Sequence, residues 1–141
     1  MIKNYLNDKY KQDYYVWFLR QAGRYLPEYK QIRKSEKNFL SLCNNVDKAS
    51  IISLQPVERF NLDSVIVFSD ILVIPNILGQ NVSFTEKNGP VLDPLSHDLI
   101  NNMKKNDFDL DKDINTYNVI RKIRSCLDEN KGLIGFCGAP W

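Results

Sequence analysis

Two arginines that enclose a short turn, Arg20 and Arg24, are the residues of this sequence best suited to chemistry. An arginine side chain pairs with a carboxylate through two parallel hydrogen bonds, and Gly23 between the two lets the backbone approach a ligand closely. The stretch from Trp17 to Lys34 carries five basic residues and one acidic residue. It is therefore typical of a site for an anion with several carboxylates, although a solvated basic loop without a ligand has the same composition.

Asp70 is the second candidate, because it follows an apolar, β-branched run over Ser64–Phe68. Such a run predicts a strand buried on both faces, as in parallel sheets. An acid at the carboxyl end of a parallel strand lies where barrel and open-sheet enzymes place their sites. The residues equally allow Asp70 or Ser69 to do no more than cap the following segment.

Small residues between Gly135 and Trp141 form a third candidate, at the exit of another predicted strand. They either make room for a ligand or serve a tight turn, and the turn is the simpler interpretation. Cys137 lies in this stretch without a nearby histidine or an evident base, which favours a small buried residue over a nucleophile. His97 stands at a predicted helix start, where a structural role is commoner than catalysis.

The elements that must position these residues alternate between short apolar runs and helical patterns. This order favours an α/β fold with parallel strands. The predicted strands are Val16–Leu19, Ser64–Phe68, Val82–Thr85 with a turn at Asn88–Pro90 after it, and Leu133–Phe136. The predicted helices run from Pro27 to about Ser35, from Lys48 to Phe60, from Ser96 to Met103 and from Asp113 to near Asp128.

Two of these helices carry more detailed signals. Asp47 is the predicted N-cap of the second helix, and Pro56 is expected to kink that helix or shorten one end. The last helix has apolar residues at helical spacing, which predicts a stripe that faces the core. That stripe consists of Ile114, Tyr117, Ile120, Ile123 and Leu127.

Composition excludes several classes of protein. The chain has 141 residues, of which 43% are hydrophobic, so it holds one domain with enough apolar side chains for a core. A net charge of +2 gives no support to nucleic-acid or membrane binding by the chain as a whole. Three cysteines without CxxC spacing and a single histidine argue against a disulfide framework and a Cys/His zinc site.

The sequence also lacks the usual marks of export. Its first residues are polar and charged, without the apolar core of a signal peptide. The most apolar stretch, Val65–Leu78, is interrupted by Asp70, Pro75 and Asn76 and is too short to span a bilayer. The expectation is a cytoplasmic protein with reduced thiols.

Four stretches of the sequence closely resemble the uroporphyrinogen decarboxylase family. The longest is WFLRQAGRYLPEYK, which begins at Trp17 and contains both candidate arginines. The others follow in the order expected of the family. They are LQP from Leu54, FSDIL from Phe68, and IGF from Ile134 with GAPW after it.

This resemblance implies a (β/α)8 barrel that usually forms a homodimer and uses neither a metal nor an organic cofactor. The family removes carbon dioxide from the four acetate side chains of uroporphyrinogen III. The acetates become methyl groups, and the product is coproporphyrinogen III in haem biosynthesis. A pyrrole protonated on a ring carbon is itself the electron sink, so the protein must bind carboxylates, donate a proton and stabilise a cation.

The resemblance also assigns roles to individual residues. Arg20 and Arg24 match the family's carboxylate-binding arginines, and Arg20 is the arginine expected to assist proton donation. Asp70 matches a central aspartate that accepts hydrogen bonds from the pyrrole N–H groups and stabilises the transition state. Arg33 aligns with a further arginine near the cleft. The implied substrate-binding set is Arg20, Gln21, Ala22, Gly23, Arg24, Arg33 and Asp70.

Some features depart from the family. Tyr15, Leu19 and Cys137 stand where proline, methionine and alanine are usual. A complete barrel needs about 250 residues, and the family's later tyrosine, serine or threonine, and histidine fall beyond position 141. We therefore expect residues 1–141 to form the amino-terminal part of an incomplete barrel. Either a second polypeptide completes an active enzyme, or the chain is an inactive truncated or split-frame fragment.

Overall fold

A computed structural model describes residues 14–85, 89–105 and 114–138. Helices and strands alternate along these ranges, as an α/β protein requires. The helices are α1 (Pro27–Lys34), α2 (Phe39–Asn44), α3 (Val46–Phe60), α4 (Val73–Ile77), α5 (His97–Lys105) and α6 (Ile114–Cys126). The strands are β1 (Ser64–Ile66), β2 (Val82–Thr85), β3 (Gly89–Leu92) and β4 (Gly132–Ile134).

The parallel pair of β1 and β4 forms the centre of the molecule. Ser64 lies opposite Gly132, and Ile66 lies opposite Ile134. One more backbone bond continues the ladder beyond β1, from Val67 N–H to the Ile134 carbonyl at 3.0 Å. The predicted parallel strands are confirmed here, although both are shorter than the apolar runs that predicted them.

Helices α3 and α6 pack against each other and close one core over this pair. The core has aliphatic side chains from both helices and from β1, as a parallel sheet covered by helices requires. Its buried members are Ala49, Val57, Leu62, Val65, Val67, Val119, Ile123 and Leu127. The predicted stripe is confirmed at Ile123, at Leu127 just after α6, and at the partly buried Ile120, whereas Tyr117 is exposed and Val119 takes a buried place instead.

A second, smaller core lies beneath the segment that carries the arginines. It contains the buried side chains of Leu26, Tyr29, Leu42 and Ile52. Phe68 packs against both cores, with its ring centroid 5.9 Å from that of Tyr29. The residue after the end of the central ladder therefore joins the two halves of the interior.

The predicted strand over Val16–Leu19 is wrong. Residues 14–18 have no regular structure, and a turn follows at Leu19 and Arg20. Val16 contacts the residue before β1, where its carbonyl accepts from Asp63 N–H at 3.0 Å and its N–H donates to Asp63 Oδ2 at 2.7 Å. The Gln21 side chain bonds the edge of β1 that β4 leaves free, through the Ser64 carbonyl and the Ile66 N–H.

The helix boundaries differ from prediction in physically simple ways. Asn45, not Asp47, caps α3, because its Oδ1 accepts from Lys48 N–H at 3.1 Å. Helix α3 continues through Pro56 to Phe60, so that the proline does not shorten it. The unpredicted α2 begins with a capping box between Asn38 and Ser41.

The remaining elements form a small peripheral layer. Strands β2 and β3 make an antiparallel hairpin, so that Gly89 and Pro90 are strand residues rather than a turn. Helix α5 is capped by Ser96, whose Oγ accepts from Leu99 N–H at 3.1 Å, as predicted. Asn88 and Asp113 lie outside the described residues. No helix in the described part of the chain is long and apolar enough to cross a membrane.

Candidate functional site

The segment from Arg20 to Arg24, here called the arginine loop, is fixed to β1 through one side chain. Gln21 is only 3% exposed. Its Nε2 donates to the Ser64 carbonyl at 2.6 Å, and its Oε1 accepts from Ile66 N–H at 2.9 Å. The loop is therefore attached to the central strand although it forms no strand itself.

Tyr25 and Leu26 hold the other end of the loop. The Tyr25 hydroxyl donates to the Gln21 carbonyl, and its ring stacks on Phe60 with centroids 6.3 Å apart. Leu26 is buried in the smaller core, and its N–H donates to the Gly23 carbonyl at 3.0 Å. Because both ends are held, the exposed side chains of Arg20 and Arg24 project from a fixed turn.

Arg20 occupies the left-handed region of backbone conformation, with φ of +60°. A residue with a Cβ atom pays about 1 kcal/mol or more for this conformation. The side chain lines a cleft of about 300 Å³ together with Phe18, Tyr25 and Phe60. Leu62, which precedes β1, lies in the same wall, so the cleft is at the amino end of that strand.

Arg24 and Arg33 both act electrostatically on Tyr29, which belongs to the smaller core. Burial raises the pKa of the Tyr29 hydroxyl, and the positive charges of Arg33 and then Arg24 oppose that rise. Arg33 is further held by its Nη1, which donates to the Glu36 carbonyl at 3.1 Å. The two arginines thus share Tyr29 as an electrostatic neighbour.

Asp70 follows the carboxyl end of β1, as the sequence predicts. Its Oδ1 accepts from Leu72 N–H at 2.8 Å, so the carboxylate caps the turn that leads into α4. It forms no ion pair with any lysine or arginine of the described ranges. The capping bond uses one oxygen and leaves the carboxylate able to accept from a ligand.

The buried thiol of Cys43 is influenced by both Asp70 and Arg33. Its pKa is raised to about 12, chiefly by burial and then by the negative charge of Asp70, while Arg33 opposes the rise. Asp70 and Arg33 therefore both lie near Cys43, and Arg24 lies near the adjoining Tyr29. Arg33 acts on both Cys43 and Tyr29, Asp70 acts on the first and Arg24 on the second, whereas Arg20 lines the cleft beside Leu62.

Such an arrangement can bind an anion with several separated carboxylates. Arg20 and Arg24 form no ion pair with another described residue, so their N–H groups remain available for a ligand. Two guanidinium groups on one fixed turn present such donors at a set spacing. The Asp70 carboxylate, which follows β1, adds a negative counterpart for the positive charge of a ligand.

Comparison with known proteins identifies the family. The family description "Uroporphyrinogen decarboxylase (URO-D)" matches residues 2–141. The chain belongs to the uroporphyrinogen decarboxylase family.

Curated relatives agree with this assignment. The chain is 47% identical over 126 residues to a uroporphyrinogen decarboxylase of Agrobacterium fabrum, covering 89% of this chain and 36% of that protein. A uroporphyrinogen decarboxylase of Campylobacter jejuni is 46% identical over 127 residues, and one of Rickettsia canadensis is 46% identical over 135 residues. Each alignment covers 89% of this chain and 37% of the relative. The chain spans little more than a third of the length of these relatives.

The third sequence candidate in this uroporphyrinogen decarboxylase family member follows β4. Residues Gly135–Gly138 are exposed, and a Cβ atom built on Gly138 would lie 3.7 Å from Ile71 Cβ. The loops after β4 and after Asp70 are therefore neighbours. Cys137 is exposed, so its expected burial is wrong, because β4 ends at Ile134 and the chain leaves the core there.

The remaining candidates contribute little to the site. His97 is exposed in the first turn of α5, distant in sequence from the arginine loop. Within the described ranges, no three His, Cys, Asp or Glu side chains could together hold a metal ion. Tyr29 and Cys43, which sequence reasoning missed, are electrostatic neighbours of the charged groups. The available signal for Tyr29 was its spacing, three residues after Leu26 and four before Arg33.

Proposed function

We propose that this chain forms the amino-terminal part of a uroporphyrinogen decarboxylase barrel and carries its carboxylate-binding loop. The proposed reaction converts the four acetate side chains of uroporphyrinogen III into the methyl groups of coproporphyrinogen III. The observation that carries the proposal is the arginine loop fixed on β1, with Asp70 directly after that strand, in a chain matched by the family over residues 2–141.

The proposed barrel is supported by the central pair. Strands β1 and β4 are parallel and are joined by a connection that contains α6, which packs over them. This is the repeating unit of a (β/α)8 barrel, which needs about 250 residues when complete. We infer that β1 and β4 are neighbouring strands of such a barrel and that its remaining strands are not among the described residues.

The proposed roles follow from the charges at the site. Arg20 and Arg24 bind substrate acetates through charge-assisted hydrogen bonds, and Arg20 assists the delivery of a proton to a pyrrole carbon. Loss of carbon dioxide then leaves its electron pair on a ring that is already protonated and cationic, which becomes neutral with an exocyclic methylene. A proton added to the methylene carbon and release of the proton from the ring carbon complete the methyl group. Asp70 accepts from the pyrrole N–H groups and stabilises that cation by a fixed negative charge. Arg33 strengthens the positive field on the same side.

A second proposal is that the chain by itself binds uroporphyrinogen but does not decarboxylate it. Large apolar side chains beside the arginine loop are exposed, with Phe18 at 63%, Leu19 at 83% and Phe60 at 51%. Apolar groups clustered at one place on a surface mark a contact for another polypeptide. In this case a complementing chain or a second copy supplies the remaining groups of the active site.

Anaerobic incubation of the purified chain with reduced uroporphyrinogen distinguishes the two proposals. Chromatography and mass spectrometry would follow the loss of carboxylates from the substrate. Products with fewer carboxylates support the enzyme, and their absence, with a full-length relative active in parallel, supports binding without turnover.

A fluorescence titration with uroporphyrin tests the binding loop itself. We expect Arg20→Ala and Arg24→Ala each to weaken binding about tenfold, because each removes a charge-assisted pair. Arg121→Ala is the matched control, since Arg121 is exposed on α6, far in sequence from the loop. Equal effects of all three variants would contradict the proposed site.

A further inference from the structure

We propose that Gln21 is a positioning residue whose carboxamide replaces a neighbouring strand along β1 and so fixes the arginine loop relative to Asp70. This inference rests on the proposed function, because it assigns the loop a ligand. It gives the Gln21 side chain a structural partner rather than a substrate carboxylate.

The geometry of the carboxamide matches one peptide unit of a parallel strand. In a parallel ladder, one residue accepts from an N–H and donates to a carbonyl two residues apart on its neighbour. The Gln21 side chain does the same, because it accepts from Ile66 N–H at 2.9 Å and donates to the Ser64 carbonyl at 2.6 Å. Strand β4 occupies the opposite edge of β1.

A side-chain amide supplies both halves of this bridge in neutral form. It carries a donor and an acceptor on one planar group, whereas a carboxylate only accepts and an ammonium group only donates. The Gln21 side chain is almost fully buried. Its removal would leave the buried Ser64 carbonyl and the partly buried Ile66 N–H of the central strand without their partners.

The bridge connects the two parts of the proposed site through a short path. Ile66 and Asp70 are four residues apart on the same segment, and Gln21 directly follows Arg20. The Tyr25 hydroxyl donates to the Gln21 carbonyl and so carries the attachment to the far end of the loop, beside Arg24. A shift of Gln21 would therefore move both arginines relative to Asp70, and small displacements of binding groups weaken a site strongly.

Hydrogen exchange of single amides tests the bridge without any ligand. We expect the Ile66 N–H to be protected in the natural chain and to exchange much faster in Gln21→Met, which keeps the size of the side chain but removes both polar atoms. The Val67 N–H, which donates to Ile134, is the internal control and should stay protected in both proteins. Equal exchange of Ile66 in the two proteins would overturn the bridge.

Uroporphyrin binding tests the positioning role, at a temperature where circular dichroism shows both proteins folded. We expect Gln21→Met to weaken binding about tenfold. In that background Arg24→Ala should weaken uroporphyrin binding by a smaller factor than it does in the natural chain, because the arginine is already displaced.

Gln80→Met is the matched control. Gln80 is also buried, and its Nε2 donates to the Asp93 carbonyl at 2.8 Å, beside the hairpin rather than the loop. It should lower the thermal midpoint and leave uroporphyrin binding unchanged.

The outcomes separate this inference from the proposed function. Faster Ile66 exchange with unchanged uroporphyrin affinity would make Gln21 merely structural and overturn its positioning role. Failure of the natural chain to bind uroporphyrin would overturn the proposed function and the positioning role with it. The exchange experiment would still decide whether the carboxamide stands in for a strand.

Discussion

The two edges of β1 are completed in different ways. One edge pairs with β4 through a regular backbone ladder, from Ser64 opposite Gly132 to Ile66 opposite Ile134. The other edge is completed by side chains, with the Gln21 carboxamide on Ser64 and Ile66 and the Ser53 hydroxyl on Phe68 N–H at 2.8 Å.

This difference shows where the fold leaves room for function. A backbone ladder needs extended chain on both sides, so its residues have little freedom to present other groups. A side chain that reaches the same donors and acceptors lets its own backbone turn away from the strand. The arginine loop uses that freedom, and its guanidinium groups project outward because Gln21 points inward.

The largest effect is expected in the core that α6 forms over β1 and β4. Ile123→Ala removes a fully buried side chain where α6 packs over the central pair. We expect a loss of about 2–5 kcal/mol in the free energy of unfolding, from lost burial and the cavity that remains. Urea denaturation measures it, with Ser125→Ala on the exposed face of α6 as the control. Similar midpoints for the two variants would contradict this packing.

The next effect concerns the edge completed by side chains. The Ser53 hydroxyl accepts from Phe68 N–H and donates to the Ala49 carbonyl at 2.7 Å. Ser53→Ala leaves the Phe68 N–H without its partner, so we expect a loss of about 1–3 kcal/mol in the free energy of unfolding.

Ser50→Ala is the control for that variant. Ser50 is equally buried in α3, but its hydroxyl bonds only to the Val46 carbonyl within the helix. Loss of the Ser50 hydroxyl should therefore lower the free energy of unfolding much less, since a hydrogen bond from a serine to the carbonyl four residues earlier adds little to helix stability. Equal costs in urea denaturation would show that the Ser53 hydroxyl does not complete the edge of β1.

A smaller effect is expected where the first described residues meet β1. The Asp63 carboxylate accepts from Val16 N–H at 2.7 Å. Asp63→Ala should lower the free energy of unfolding by about 0.5–1.5 kcal/mol and expose residues near Trp17 to limited proteolysis. Asp63→Asn keeps an acceptor oxygen, so the protease should cleave this variant at the same rate as the natural chain. Equal proteolysis of all three proteins would count against this attachment.

The smallest effect lies outside both edges and depends on pH. Hydrogen bonds from Lys48 and Ser41 hold the pKa of Glu36 below its usual value. A lowered pKa in the folded state stabilises the protein above the ordinary glutamate pKa of about 4.3, and this stabilisation is lost as pH falls through the lowered value.

Glu36→Gln tests this dependence. We expect it to lower the thermal midpoint at neutral pH and to have little effect once the carboxyl is protonated in acid. Glu129→Gln is the control, because Glu129 is exposed and forms no ion pair within the described ranges. A Glu36→Gln deficit that persisted unchanged in acid would show that charge is not its cause.

The same contrast explains how much could be predicted from the sequence. The two strands of this ladder could be predicted because buried parallel strands leave continuous apolar runs, here from Ser64 and from Leu133, whereas their pairing with each other was not predicted. The edge formed by Gln21 left no such signal, since no periodicity reveals a side chain that bonds a strand 43 residues later. The apolar run at Val16–Leu19 was therefore mistaken for a strand.

The candidate site was predictable in part. Asp70 was expected after a buried strand and lies there, and the family resemblance is confirmed over the chain. The cap at Asn45 was missed because Asn45 and Asp47 are both good caps, and only the path of the backbone decides between them. The roles of Arg20, Arg24, Arg33 and Asp70 in binding and catalysis stay predictions.

The unequal edges of β1 also impose an order on its completion during synthesis. The Gln21 side chain precedes Ser64 by 43 residues, so its edge can close as soon as β1 leaves the ribosome. The partner in β4 is Gly132 and follows much later. At about 5–20 residues per second, β1 waits roughly 3–13 s for it. During that interval one edge of the central strand already has its partner within the synthesised chain, whereas the partner of the other edge does not yet exist.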